Sequence, residues 1–323
     1  MFQQRRALLT PVQEIYPTAV GDGVLLAGGI AAFRSASRAA TDEVVHYDLA
    51  HDNWHYVQPL PEPLHHPCLL ARSDAVLAIG GFGAGSLLLP QVGEVSDAWR
   101  MRDTVFELPL PHMTAWTPGP TLPMPRAEFS AGVIDEHVII AGGRYRHSTL
   151  LNSRYEDHAD TPSTLVLAPG ASSWARRRDM LTPRNSAAAA VLGSRLHVIG
   201  GRQVKDVRAG RSVNVSTHEA YDLAQDRWEE LKDLPEALAG AAATVWGGCI
   251  YVFGGERLAP PERAFADVWK YDPATKDWTH HDVMPETRHG LGAIALEDGI
   301  HLLGGATGPN MQGTCDHHHV FTP

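Results

Sequence analysis

Short apolar runs closed by a glycine pair punctuate this chain six times. They span Val24 to Gly29, Val76 to Gly81, Val138 to Gly143, Leu196 to Gly201, Ile250 to Gly255 and Ile300 to Gly305. Their second glycines stand 52, 62, 58, 54 and 50 residues apart. Runs this short, bounded by turn residues, predict strands. Each is preceded by a further apolar run and a turn, as in Ala131-Gly132-Val133-Ile134 before Asp135-Glu136, or Gly292 to Leu296 before Asp298-Gly299. Each pair therefore predicts a β-hairpin.

Downstream of the hairpins an aromatic, a turn and a tryptophan recur: Tyr47-Asp48 with Trp54, Tyr221-Asp222 with Trp228, and Tyr271-Asp272 with Trp278. This spacing reads as a strand, a tight turn and an outer strand whose indole packs between neighbouring sheets. Together with the glycine pairs it resembles the Kelch repeat, and the resemblance spans the whole chain. It implies an all-β, six-bladed Kelch β-propeller of four-stranded blades, a single domain over residues 1–323. Near a propeller axis inner strands crowd together, and a residue without Cβ permits close approach and a sharp exit, which accounts for the glycine pairs.

Three blades depart from the pattern. The second has Phe106 and Trp116 around Leu108-Pro109-Leu110-Pro111, and the third has Val166 and Trp174 with no aromatic in the tyrosine position. The sixth lacks its tryptophan and ends one strand short at Val320-Phe321-Thr322-Pro323. A strand is left over at the other end, where Arg6 to Pro11 matches Glu230 to Pro235. The expected closure is therefore an N-terminal strand, near Arg5 to Leu9, completing the last blade beside His317 to Phe321 and removing an exposed sheet edge.

Composition narrows the partners. Hydrophobic residues make up 44% and charged residues 20% of 323, normal for a well-buried core. A net charge of −10 argues against nucleic acid and anionic membranes, which call for a basic patch. Three scattered cysteines, no signal-peptide pattern and no long apolar run lead us to expect a soluble, cytoplasmic chain. The sequence does not give an oligomeric state.

By resemblance, ligands meet such propellers on the face where first strands begin and second strands end. Aligning on the glycine pairs gives two rings of entry positions. One holds Gln13, His65, Ala127, Asn185, Ala239 and His289, and the next Glu14, His66, Glu128, Ser186, Gly240 and Gly290. Arg126, Arg184 and Arg288 precede these rings, while Arg144, Arg146 with His147, Arg202 and Glu256 follow the glycine pairs. Glu128, His66 and Glu14 are the candidate acid and base groups. His65, Asn185, Ser186, Arg184, His289, Arg288, Arg144 and Arg202 are the candidate ligand-binding residues. The longest loops, about 82–103 and 144–161, carry Glu94, Asp97, Trp99, Arg100, Tyr145, Tyr155, Glu156 and His158 and could wall the pocket. Solvated or mutually paired rim residues are the bland reading of all these groups, and a buried inert thiol is the reading of Cys68.

Two functions compete. In the first, the rim captures a small molecule or an anionic peptide through Arg184, Arg202, Arg144 and Arg288. In the second, resembling sialic-acid mutarotase-type Kelch proteins, a Glu/His pair performs cofactor-free isomerase, mutarotase or cyclase chemistry while arginine holds a carboxylate. No cofactor or metal is expected. The copper-ligand set of galactose oxidase has no convincing match, and the Glu-x-x-x-Asp-x-x-x-His spacing of nitrile-specifier-like proteins is absent. Alternation along a strand sends His317 and His319 to one face and His318 to the other, so the triplet cannot chelate as a unit. No adaptor segment of the BTB or F-box kind accompanies the repeats, which moves weight toward small-molecule work.

Overall fold

Six four-stranded antiparallel sheets succeed one another along the chain in a computed structural model that describes residues 1–32, 39–83, 86–89, 93–96, 99–147, 157–207 and 209–323. The innermost strands are Thr18–Val20, Cys68–Ala71, Ser130–Ile134, Ala188–Leu192, Ala242–Trp246 and Gly292–Leu296. They neighbour one another in cyclic order, the last against the first, as a six-bladed propeller requires. The second strands are the glycine-paired runs, Gly23–Ala27 through Gly299–Leu303, and they pair with the first strands as hairpins. Every named element among the described residues is a strand, and no helix there is long and apolar enough to cross a membrane.

The last blade is closed from the other end of the chain, a few residues earlier than the sequence suggests. Phe2–Gln4 pairs with His318–Phe321 in the register Phe2 to Phe321, Gln3 to Val320 and Gln4 to His319. The Phe2 and Phe321 rings stack with centroids 4.6 Å apart. Arg5 to Leu9, the expected strand, runs on along the same seam: the amides of Arg5 and Leu8 donate to the carbonyls of His318 and Asp316, both at 2.9 Å.

The core is divided into clusters between blades. Tyr47 and Trp54 of blade 1 pack with Leu296 and Leu303 of blade 6, and Tyr271 and Trp278 of blade 5 pack with Ala188 and Ile199 of blade 4. The tryptophans fix these contacts with polar bonds as well as area. Indole Nε1 of Trp54, Trp116, Trp174, Trp228 and Trp278 donates to the carbonyls of Arg6, Gln58, Pro120, Arg178 and Lys232, each at the outer edge of the preceding blade. The divergent second and third blades thus keep the bond although their aromatic-turn sequence is lost. Under two of these indoles lies a histidine pair. His197 and His218 of blade 4 meet at 2.9 Å beneath Tyr271 and Trp278, and His301 and His318 meet at 2.8 Å beneath Tyr47 and Trp54.

Candidate functional site

Where each first strand begins, one residue turns through the left-handed region. The six are Glu14 (φ 57°), His66 (57°), Glu128 (53°), Ser186 (50°), Gly240 (65°) and Gly290 (57°). Only glycine occupies this region without strain, so four side-chain-bearing residues there signal an over-determined local structure. Backbone bonds between blades supply it. The amides of five of the six donate to the carbonyl of the previous blade's equivalent: His66 to Glu14 (3.2 Å), Ser186 to Glu128 (3.0 Å), Gly240 to Ser186 (2.9 Å), Gly290 to Gly240 (2.8 Å) and Glu14 to Gly290 (2.7 Å). These residues form a hoop about the axis. One residue earlier, Gln13, His65, Ala127, Asn185, Ala239 and His289 bridge to the residues just past the glycine pairs, Ile30, Phe82, Arg144, Arg202, Glu256 and Ala306.

Side chains from both positions form one acid–imidazole cluster. Glu14 Oε2 lies 3.0 Å from His66 Nε2, which is 3.6 Å from Glu128 Oε1. The other oxygen of Glu128 accepts from Arg144 Nε. On the opposite side Glu14 Oε1 stands 3.6 Å from His289 Nδ1, and His289 Nε2 is 3.6 Å from Glu256 Oε2. Arg202 then donates to Glu256 Oε1 at 2.8 Å. The series Arg144, Glu128, His66, Glu14, His289, Glu256, Arg202 joins residues of all six blades, with a formal charge of −1 when both histidines are neutral. Glu14 is the most open member, 18% exposed, while His66, Glu128, Glu256, His289 and both arginines are buried. Neither nitrogen of His289 has a hydrogen-bond partner among the described residues.

Burial alone would raise the Glu14 carboxyl, but His66 and His289 hold it well below the usual range. The imidazoles respond in the opposite sense. Burial would lower both, yet Glu14 and Glu128 raise His66, and Glu14 and Glu256 raise His289. Both shifts favour the charged forms, an anionic Glu14 beside a cationic His66.

The remaining candidates divide. His65 Nδ1 lies 2.7 Å from His66 Nδ1, and the His65 ring stacks on Phe82 and meets Trp99 edge-on. Asn185 donates to Asp160 Oδ1 (2.6 Å) and accepts from the Ser186 hydroxyl (2.9 Å), so both sit beside the cluster. Two candidates require correction. Arg184 and Arg288 do not face the cluster; they are fully buried within the sheets. Arg184 binds Glu219 Oε1 and the carbonyls of Thr182 and Val198, and Arg288 binds the Gly304 carbonyl and His319 Nδ1. Their terminal guanidinium nitrogens are engaged within their own blades rather than offered to the axis. Arg144 and Arg202 are near the axis but each is engaged by a glutamate.

The sequence reading did not single out Asp160. Its carboxylate also accepts from the Val204 amide at 2.6 Å, and burial raises its pKa. Glu256 was recognised only as a rim residue, although it occupies the same slot after the glycine pair as Arg144 and Arg202. Of the loop candidates, His158 is buried against Phe82, and burial, with Arg144 nearby, pushes its pKa down to about 4. Asp97, Tyr155 and Glu156 lie outside the described residues, as does the side chain of Glu94. Below the hoop the axis is a different environment. A channel of about 380 Å³ is lined by small and apolar residues of the inner strands, among them Ala131, Gly132, Ala189, Ala243 and Ala293.

Comparison with known proteins agrees with this architecture. The KLHDC2/KLHL20/DRC7 Kelch-repeats domain matches residues 93–305. Kelch-like protein terF of Aspergillus terreus is 26% identical over 91% of this chain and 61% of its own length. Kelch-like protein 35 of Mus musculus is 27% identical over 72% of this chain and 34% of its own, and alpha-scruin of Limulus polyphemus is 30% identical over 57% and 19%. The chain thus spans less than two thirds of the length of each of these relatives. With two thirds of its residues inside the family match and six glycine-paired blades in its structure, the chain belongs to the Kelch-repeat family.

Proposed function

We propose that this Kelch propeller is a ligand-binding module whose axial cluster takes a small neutral molecule rich in hydroxyl groups. The observation that carries the reading is His289, 1% exposed and set between two carboxylates at 3.6 Å, with no hydrogen-bond partner for either ring nitrogen. Buried polar groups of this kind are ordinarily satisfied. A hydroxyl both donates and accepts, so it can bond Glu14 and His289 together. The anionic ligand expected from the arginines has less support, because Arg144 and Arg202 are neutralised by Glu128 and Glu256. The test is a thermal-shift and calorimetric comparison of neutral sugars and polyols with dicarboxylates of similar size. Stabilisation by a polyol, lost in His289→Ala and Glu14→Gln, is expected. Binding confined to the carboxylates or to acidic peptides refutes this assignment.

A second reading, cofactor-free isomerase or mutarotase chemistry, is favoured by the opposite shifts of Glu14 and His66, which set a proton acceptor beside a proton donor. Glu128 is the weaker catalytic candidate, since Arg144 holds it. Under this reading Glu14→Gln and His66→Ala lower turnover of a bound sugar by about 10²–10⁴. Binding without turnover leaves the first reading alone.

A further inference from the structure

We infer that Glu286, Cys315 and His317 form a binding site for a zinc-class divalent ion at the seam where the ring closes. One donor atom from each of the three lies within 4.8 Å of the others. Glu286 comes from the segment leading into blade 6, and Cys315 and His317 from the approach to that blade's third strand. His317 Nδ1 is already 2.5 Å from Glu286 Oε1. Thiolate, imidazole and carboxylate together suit zinc, which binds sulfur and nitrogen at about 2.0–2.3 Å and accepts water as a fourth ligand. An ion replaces this hydrogen bond and sets the two donors about 3 Å apart, an adjustment that falls on partly exposed side chains, His317 at 41% and Glu286 at 26%.

Charge permits the site despite a neighbouring cation. Thiolate and carboxylate neutralise a divalent ion, and the Arg288 guanidinium beside them keeps its bonds to Gly304 and His319. Binding forms a metal–sulfur bond, releases the Cys315 thiol proton to solvent and takes His317 as neutral imidazole. The position gives the ion a structural consequence. Val12, Leu8 and Arg5 of the N-terminal segment donate their amides to the carbonyls of Cys315, Asp316 and His318. An ion on Cys315 and His317 therefore stiffens the segment to which the N-terminus is fastened.

The experiment titrates the metal-free chain with Zn²⁺ and, separately, with Co²⁺, following thermal unfolding, proton release and the near-ultraviolet spectrum. Expected are a rise in melting temperature, release of a proton, and a thiolate-to-cobalt charge-transfer band. All three are lost in Cys315→Ser and His317→Ala and retained in Cys249→Ser. His317 is partly exposed, so its variant keeps the fold intact if the buried Cys315→Ser does not. Absence of the cobalt band in the wild type, or its persistence in Cys315→Ser, overturns the assignment.

Discussion

Glu14 and His66 occupy the same left-handed turn in successive blades, and they are joined twice, by an amide-to-carbonyl bond of 3.2 Å and by a carboxylate-to-imidazole contact of 3.0 Å. The side-chain link depends on pH with two limbs. Glu14 is held below the ordinary carboxylate value of 4.5, so its contribution is present above that pH and lost as pH falls through the depressed folded value. His66 is raised above 6.5, so its contribution is present below 6.5 and lost as pH rises through the folded value. Glu14→Gln is expected to cost about 1.5–3 kcal/mol in the window between. It also removes most of the alkaline limb contributed by His66. Denaturant melts from about pH 4 to pH 9 check this, and an unchanged alkaline limb counts against it.

The buried histidine pairs give the opposite signature. Burial pushes His197 down to about 4 and His218 and His318 down to about 3, and lowers His301 as well. A depressed imidazole favours the folded state while neutral, so its stabilisation is complete above 6.5 and erodes as pH falls. Each of the first three should lose about 2 kcal/mol between pH 6.5 and about pH 5. Replacing both members of a pair, as in His197→Leu with His218→Leu, is expected to flatten the acid limb. An equally steep acid limb in the double variant sinks the idea.

Arg184 and Glu219 share a bond inside blade 4 with both side chains fully buried. Arg184→Met strands the carboxylate and is expected to destabilise by about 3–5 kcal/mol. Polyol affinity, measured where the variant is still folded, should be unchanged. A selective loss of affinity with normal stability would falsify the structural assignment of Arg184.

Gly240 and Gly290 hold equivalent hoop positions but differ in surroundings. A Cβ on Gly240 meets nothing nearer than 3.7 Å, whereas one on Gly290 comes within 2.9 Å of the Glu14 carboxylate. Gly240→Ala should therefore cost only the left-handed backbone penalty, about 1–2 kcal/mol. Gly290→Ala should cost more and displace Glu14 from His66, which calorimetry and the pH profile together would register. Equal effects of the two substitutions contradict this account.

The hoop was legible in the sequence because a repeat aligned on glycine pairs places equivalent residues at equivalent points around an axis. That is why Glu14, His66 and Glu128 could be brought together across blades from spacing alone. The same alignment misdirected Arg184 and Arg288. A slot fixes where a side chain starts, while its direction depends on partners from other strands, here Glu219 and His319, that no spacing reveals. The closure was legible as a surplus strand at one end and a deficit at the other. Its register slipped because Phe2-Gln3-Gln4 lacks an apolar alternation strong enough to identify it. Asp160 escaped for a different reason: it lies near the end of a loop whose length follows no repeat.

Because the hoop is fastened by main-chain atoms, its six stations can be relettered without dismantling the ring. Glutamate, histidine, serine and glycine already stand there in one chain, each tolerated at the same backbone angles. The scaffold thus separates what holds it shut from what it displays at its centre. A lineage, or a designer, can change the chemistry at one station at a time, at the cost of a local conformational penalty that the other bonds of the hoop can bear.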